Sequence, residues 1–399
     1  MGPDGAMVDE KLGQVPAILA ETGFDAWLLF ARESHTLIDP SFELVVGGHV
    51  TWPSAFILTA GGERLALVGG LDRPGVLAQG HYTDVIGYQG GISEDLKKVL
   101  QRLDPRRIAI NFSLDDTMSD GLTHGMFLTL QKALAGTPYG ERLESSAPVI
   151  SALRGRKSAS ERARIQAACD ITTDIYNRLT PRLRAGLTEK QVAAMILEEM
   201  DKEPGLGLAW DPEQCPAVFT GPESAGCHAG PTDRVIEPGH ILNTDFGVRK
   251  DGYVSDLQRT WYFLRPGETA APAAVQHGFD TILEAIRAAA RALRPGVTCG
   301  SVDAVARGYI MDRGYPEFMH GLGHQVGRNA HDGAGLLCPP WERYGALTNM
   351  RVEEHQVFTL EPRLPVEGHG IATCEEIVAV TADGCEWLSR PQESLYVVG

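Results

Sequence analysis

In residues 8–21 the apolar positions Val8, Leu12, Val15, Ile18 and Leu19 keep helical spacing, which predicts a helix stopped by Gly23. Residues 26–30 read as a short buried strand. After a weakly patterned stretch over 31–52, residues 55–59 and 64–68 read as a hairpin across Gly61-Gly62. A strand at 83–86, a helix over Ser93–Leu103, a strand at 107–111 and a helix over 126–134 continue the alternation. Residues 1–152 therefore read as one α/β domain. The opening MGPDGAM, rich in Gly and Pro, is expected to be disordered. No catalytic constellation is visible here: His35, His49, His81 and His124 are scattered, and each is assigned a structural or surface role.

A second domain, 153–399, opens with a capping-box signal, Ser158 followed three residues on by Glu161. Ile165, Ala168, Thr172, Ile175, Tyr176 and Leu179 then share a helical face, and Pro181 ends the helix. Thr188 with Gln191 opens another. A strand at 217–220 leads into the loop GPESAGCHAGP, which carries His228. Helices over 272–293 and 301–312 follow a strand-rich stretch, and further strands close the chain. Helix pair, strands, helix pair, strands: the domain reads as two similar halves.

The strand-rich stretch is ILNTDFGVRKDGYVSDLQRTWYF, residues 241–263. Two alternating arms flank Arg249-Lys250-Asp251-Gly252, which predicts a β-hairpin. Pairing Arg249 with Gly252 would set Asp245 directly opposite Asp256, on one face; a bulge at Gly252 would shift the register. Facing carboxylates repel, so a positive group is expected between them. The alternative is a pair of solvated surface aspartates. Three later stretches add to the count. HGLGHQVGRNAHDGAG holds His320, His324 and His331, with too many glycines for a long helix. TLEPRLP holds Glu361 at a strand end. ATCEEIVAVT holds Glu375 and Glu376, of which alternation turns one inward and the other outward.

Composition narrows the partners. The 399 residues are 43% hydrophobic and 22% charged, ordinary for a globular protein. The net charge of −16 leaves no basic surplus for a nucleic acid or an anionic membrane. Seven cysteines without a CxxC pair suit reduced thiols in a cytoplasm. Neither a signal peptide nor an apolar run of about 18 residues is visible.

The ordered acids and histidines resemble those of the pita-bread metallopeptidases, the family of methionine aminopeptidase, aminopeptidase P and prolidase. The matching positions are Asp245, Asp256 eleven residues on, His324 of HGLGH, Glu361 of LEP, and Glu375 six residues before Thr381. The match runs from Leu153 to Val398. The first domain resembles the creatinase-type domain that precedes the catalytic domain in prolidase, aminopeptidase P and creatinase. The implied fold is α+β: a duplicated α/β pita-bread catalytic domain behind a creatinase-like α/β domain. Four carboxylates at about 4 Å would repel by about 4 kcal/mol per pair at an effective dielectric of about 20, so cations are expected among them. The resemblance implies two divalent ions per chain, Mn, Co, Zn or Fe, flanking a water whose pKa they lower. By the same resemblance, Asp256 and Glu375 bridge the ions, Asp245 holds one, and His324 and Glu361 hold the other. Glu361 is also the proton shuttle. His228 and His331 contact the substrate carbonyl and the tetrahedral intermediate, and His320 lies in the substrate pocket or behind the metals.

The implied activity is hydrolysis of Xaa-Pro bonds, as a prolidase-type dipeptidase with a small peptide substrate, and a homodimer is expected. Two positions depart from the family pattern. Pro365 stands at the family's Tyr of EPGxY, and Thr373 at the Arg before the last Glu. Arg328, Arg343, Arg351 and Arg363 are candidates for the substrate carboxylate. The alternatives are a related peptidase with another preference after the scissile bond, an aminopeptidase P-like enzyme on longer peptides, and a metal-free creatinase-like hydrolase or peptide-binding module.

Overall fold

The structure is a computed structural model, and it describes residues 3–224 and 230–399. His228 lies outside the described residues. The chain divides into two compact units, Met1–Arg154 and Gly155–Gly399.

In the first unit the strands are β1 (Ala26–Ala31), β2 (Ser54–Thr59), β3 (Arg64–Gly69), β4 (Asp84–Tyr88), β5 (Ile108–Ile110) and β6 (Leu143–Ser145). They form one mixed sheet in the order β4-β3-β2-β1-β5-β6. The helices are α1 (Pro3–Thr22), α2 (Phe42–Val45), α3 (Arg73–Gln79), α4 (Ser93–Leu103), α5 (His124–Leu134) and α6 (Ala147–Gly155). Strand β1 shows why both sheet faces are covered: Trp27 and Leu29 pack with α1 and α6, while Ala26, Leu28 and Phe30 pack with α4 and α5. Helix α1 starts at Pro3, so over residues 3–7 the expected disorder gives way to helix, and Met1 and Gly2 lie outside the described residues. Proline is compatible with a first turn, whose N–H groups have no helical partner. The burial of Met7 and Val8 anchors that turn. The hairpin across Gly61-Gly62 is present as β2–β3.

In the second unit both capping boxes form. Ser158 caps α7 (Ala159–Leu179) and Thr188 caps α8 (Glu189–Met200). Then come β7 (Gly207–Leu208), β8 (Ala217–Thr220), β9 (Ile241–Phe246), β10 (Val248–Lys250), β11 (Tyr253–Val254) and β12 (Leu257–Phe263). Helices α9 (Ala273–Ala292) and α10 (Cys299–Met311) open the second half. It ends in β13 (Val357–Leu360), β14 (Arg363–Val366), β15 (Gly370–Thr373), β16 (Glu376–Val380), β17 (Cys385–Trp387) and β18 (Tyr396–Val398). Helix α9 buries Phe279, Ile282 and Ile286 against Phe358, Leu360 and Val378 of the strands. Truncating such a side chain to Ala costs about 2–5 kcal/mol.

The hairpin register differs from the sequence expectation. Lys250 pairs with Tyr253 and Arg249 with Val254, so Arg249 does not meet Gly252. Asp251 and Gly252 form a two-residue turn, both at positive φ (47° and 79°). An Asp-Gly pair in that conformation matches the right-handed twist of the arms. Asp245 therefore faces Gln258, not Asp256. The displacement is two residues, and side chains alternate with period two, so Asp256 keeps the face of Asp245. Gly247 permits the close approach of the arms: a Cβ there would lie 1.9 Å from the Ser255 carbonyl oxygen.

Candidate metal centre

Each half contributes one pair of acids from one antiparallel strand pair. Asp245 lies on β9 and Asp256 just ahead of its partner β12. Glu361 follows β13 directly and Glu375 immediately precedes its partner β16. The duplicated frame thus delivers four carboxylates from strand ends that sequence separates by up to 130 residues. His324 comes from the glycine-rich segment. Gly323 is needed there, because a Cβ would sit 1.9 Å from the Thr359 carbonyl oxygen. The Thr359 N–H donates to the His324 carbonyl (2.9 Å), which locks this segment to β13.

The structure brings four of the five predicted ligands into measured proximity. His324 Nε2 lies 3.3 Å from Glu361 Oε1 and 3.7 Å from Asp256 Oδ2. Ligand atoms of Asp256, His324 and Glu375 all lie within 4.8 Å of one another. The fifth, Asp245, shares their electrostatic neighbourhood: the charges of Glu361 and His324 bear on its carboxyl. Asp256, Glu375 and His324 are buried at 6, 1 and 9% exposure, so solvent does not screen the charges.

Proton affinities follow. Burial pushes the Asp245 carboxyl up to about 7, and the charge of Glu361 adds to it. Burial also drives Asp256 well above the carboxylate range, helped by Asp245 and Glu361. Glu375 rises in the same way, through burial and then the charges of Asp256, Glu361 and Asp245. Glu361 goes the other way. Burial opposes its ionisation, but the hydrogen bond and charge of His324, with His320 and His331, outweigh that and lower its pKa. His324 is raised because Glu361 overcomes the burial that disfavours its cation. One imidazolium–carboxylate pair and three proton-hungry acids are what such a cluster becomes without further positive charge.

A divalent cation fits these residues. Asp245 Oδ1 and both Glu375 carboxylate oxygens are buried and make no hydrogen bond to the described residues. Buried carboxylate oxygens left without donors carry a large desolvation penalty, which coordination relieves. Four carboxylates and one imidazole suit the harder transition metals and Zn without choosing among them.

Of the remaining predicted residues, the described His320 and His331 act on this set. The His331 ring meets the His324 ring edge-on at 4.3 Å and is exposed. His320 holds the Gly321 carbonyl through Nδ1 (2.7 Å), which leaves Nε2 as the acceptor; burial lowers its pKa. Pro365 is exposed on β14, whereas Thr373 is buried at the end of β15.

Several supports escaped the sequence reading. Arg259 and Glu376 form a buried ion pair (3.0 Å), and Arg259 also donates to the carbonyls of Gln258 (2.8 Å) and Glu375 (3.1 Å). Glu376 points away from the cluster but is itself buried (1% exposed), so neither glutamate is outward as the alternation predicted: the far face of β16 is covered too. Lys157 and Asp332 form a second buried pair (3.1 Å), next to His331. Gln258 donates to Glu361 Oε2 (3.2 Å). Only Gln258 carried a signal: it sits two residues beyond Asp256, on the same alternation.

Hard anionic oxygens converging with one nitrogen make a candidate divalent-metal site. The sequence model of metallopeptidase family M24 matches residues 163–382, more than half of the chain, and the chain belongs to that family. It is similar to an uncharacterized peptidase of Staphylococcus saprophyticus, 28% identical over 84% of this chain and 87% of the relative. An Xaa-Pro dipeptidase of Lactobacillus helveticus is 27% identical over 62% of this chain and 64% of its own length, under two thirds of that protein. Among solved structures, the X-Pro aminopeptidase of Thermotoga maritima superposes with a TM-score of 0.71 at 25% identity, covering 97% of this chain and 99% of the other. No helix among the described residues is long and apolar enough to cross a membrane.

Proposed function

We propose that this metallopeptidase hydrolyses the Xaa-Pro peptide bond, as a dipeptidase working with two divalent ions such as Mn, Co or Zn. The observation that carries the reading is the set Asp245, Asp256, His324, Glu361 and Glu375, with buried oxygens of Asp245 and Glu375 that lack donors among the described residues. The similarity to the Lactobacillus helveticus dipeptidase supports the substrate class.

In this reading Asp245, Asp256, His324, Glu361 and Glu375 would together hold the ions. When bound, the ions supply a nucleophilic water near neutral pH and polarise the scissile carbonyl. The chain's own residues do the rest. Glu361, beside His324, would take the proton of the attacking water and pass it to the leaving proline nitrogen. His331, at the exposed edge of the site, donates to the oxygen on which negative charge develops. His320, neutral and acceptor at Nε2, orients a donor of the substrate. His228 has the role of a second donor to the substrate carbonyl. A cytoplasmic homodimer belongs to the same reading.

The likeness to the Thermotoga maritima aminopeptidase supports a second reading, cleavage of longer Xaa-Pro-Yaa peptides. The test is a panel of Xaa-Pro dipeptides, Xaa-Pro-Yaa tripeptides and Xaa-Ala controls, run on metal-stripped protein and after adding back Mn or Co. Metal-dependent cleavage of the dipeptides above the others is expected. Preference for the tripeptides selects the second reading, and no metal-dependent Xaa-Pro cleavage overturns both.

A further inference from the structure

Glu361 carries the most demanding task in the site, because its two oxygens must stay oriented while it handles a proton. Its Oε1 faces His324 Nε2 at 3.3 Å. Its Oε2 accepts from Gln258 Nε2 at 3.2 Å. Gln258 is 3% exposed and stands opposite Asp245 across the β9–β12 pair. The far end of its amide is also held: Gln258 Oε1 accepts from the Thr373 hydroxyl (2.9 Å). That hydroxyl is also 3.0 Å from the carbonyl of Pro362, the residue after Glu361. Thr373 is itself tied back to the sheet. The Thr260 hydroxyl donates to the Thr373 carbonyl, and Asn243 Nδ2 donates to the Ile371 carbonyl (2.8 Å). A buried polar chain, Thr260–Thr373–Gln258–Glu361, therefore runs from the central strand pair to the carboxylate.

We propose that Gln258 and Thr373 are positioning residues for Glu361: together they fix the rotation of its carboxylate, and so which oxygen is offered to a metal and which is kept for hydrogen bonding. The physical reason is the character of the donor. Gln258 is neutral, so it orients Glu361 without competing with a metal for its charge, as a nearby guanidinium would. A hydrogen bond to an ionised group is among the stronger ones in a protein, and it has a direction. An amide free at its far end could rotate away; the Thr373 hydroxyl on Oε1 sets which end meets Glu361.

The inference rests on the proposed role of Glu361, and its test separates the two. Gln258→Met keeps the side-chain length and removes the donor. Thr373→Val removes the hydroxyl, and Thr373→Ser restores it. Each variant is stripped of metal and titrated with Co(II) by calorimetry and visible absorption, then assayed for kcat and KM on an Xaa-Pro dipeptide. Gln258→Met is expected to weaken one of the Co(II) sites about tenfold, alter the Co(II) visible spectrum and lower kcat about tenfold or more, with KM changed less than threefold. Thr373→Val is expected to move all three readouts in the same direction, and Thr373→Ser to return them to wild type. Wild-type spectra and Co(II) affinity in both Gln258→Met and Thr373→Val, with only the melting temperature lowered, would overturn the positioning role. A wild-type protein that binds Co(II) yet cleaves no Xaa-Pro peptide would instead defeat the proposed function, and the Co(II) readouts would still decide the role of Gln258.

Discussion

Replacing Glu376 by Gln removes the carboxylate that neutralises Arg259, a guanidinium only 1% exposed. Each oxygen of Glu376 receives two donors in the folded protein. Oε1 meets Arg259 Nη1 (3.0 Å) and the Gln392 N–H (2.9 Å), while Oε2 meets Arg259 Nη2 (3.3 Å) and the Ser389 hydroxyl (2.6 Å). An amide NH2 in the Oε1 position would confront two N–H groups. In the Oε2 position it would confront Arg259, while Ser389 can turn to accept. Either way Arg259 keeps at most one side-chain acceptor and loses its counter-charge. Removing one partner of a buried pair costs about 3–5 kcal/mol. For a unit of this size that corresponds to about 10 °C in melting temperature. A buried pair pays a large desolvation cost, so an apolar replacement of both partners is generally far milder than removal of one. Arg259→Met with Glu376→Leu should therefore be less destabilised than the sum of the single variants by about 2 kcal/mol or more. Chemical denaturation of metal-stripped protein, followed by circular dichroism, measures all of these. A loss below about 1 kcal/mol for Glu376→Gln, or additivity in the double variant, would refute the reasoning.

Asp256→Ala and Glu375→Ala should each abolish peptide cleavage and loosen both metals, read by metal analysis after dialysis; full metal content with normal turnover would defeat their assignment. His331→Ala should slow turnover while metal content is kept, because its ring stands beside His324 and at the exposed edge. Chelation should make stability depend on pH in a defined direction. A carboxyl whose folded pKa exceeds its unfolded value binds protons preferentially when folded, so stability rises as pH falls. For Asp245, raised from 3.8 to about 7, the burden above pH 7 is about 4 kcal/mol and is relieved between about pH 7 and 4. Denaturation midpoints of the stripped protein should thus be higher at pH 5.5 than at 7.5, and a flat or opposite trend would count against a proton-hungry cluster.

What the sequence determined by itself was local chemistry and periodicity. The two capping boxes, the apolar stripes of α7 and α9, and the alternation of β12 are short-range properties, and they predicted their elements closely. Alternation told that Glu375 and Glu376 point to opposite faces, while the choice of Glu375 for the cluster came from its spacing to Thr381. The acids and His324 were visible as a set only through their order and spacing.

Tertiary structure decided what depends on exact pairing. The Asp-Gly turn displaced the hairpin by two residues, so Asp245 faces Gln258, and only the period of two kept Asp256 on the same side. The buried pairs Arg259–Glu376 and Lys157–Asp332 join residues 117 and 175 positions apart. No local pattern marks such a pair, since a buried charge and a solvated one look alike along the chain. The same holds for the link from Thr373 to Gln258, 115 positions apart. Donor and acceptor meet there because two antiparallel strand pairs, one from each half of the unit, converge at their ends.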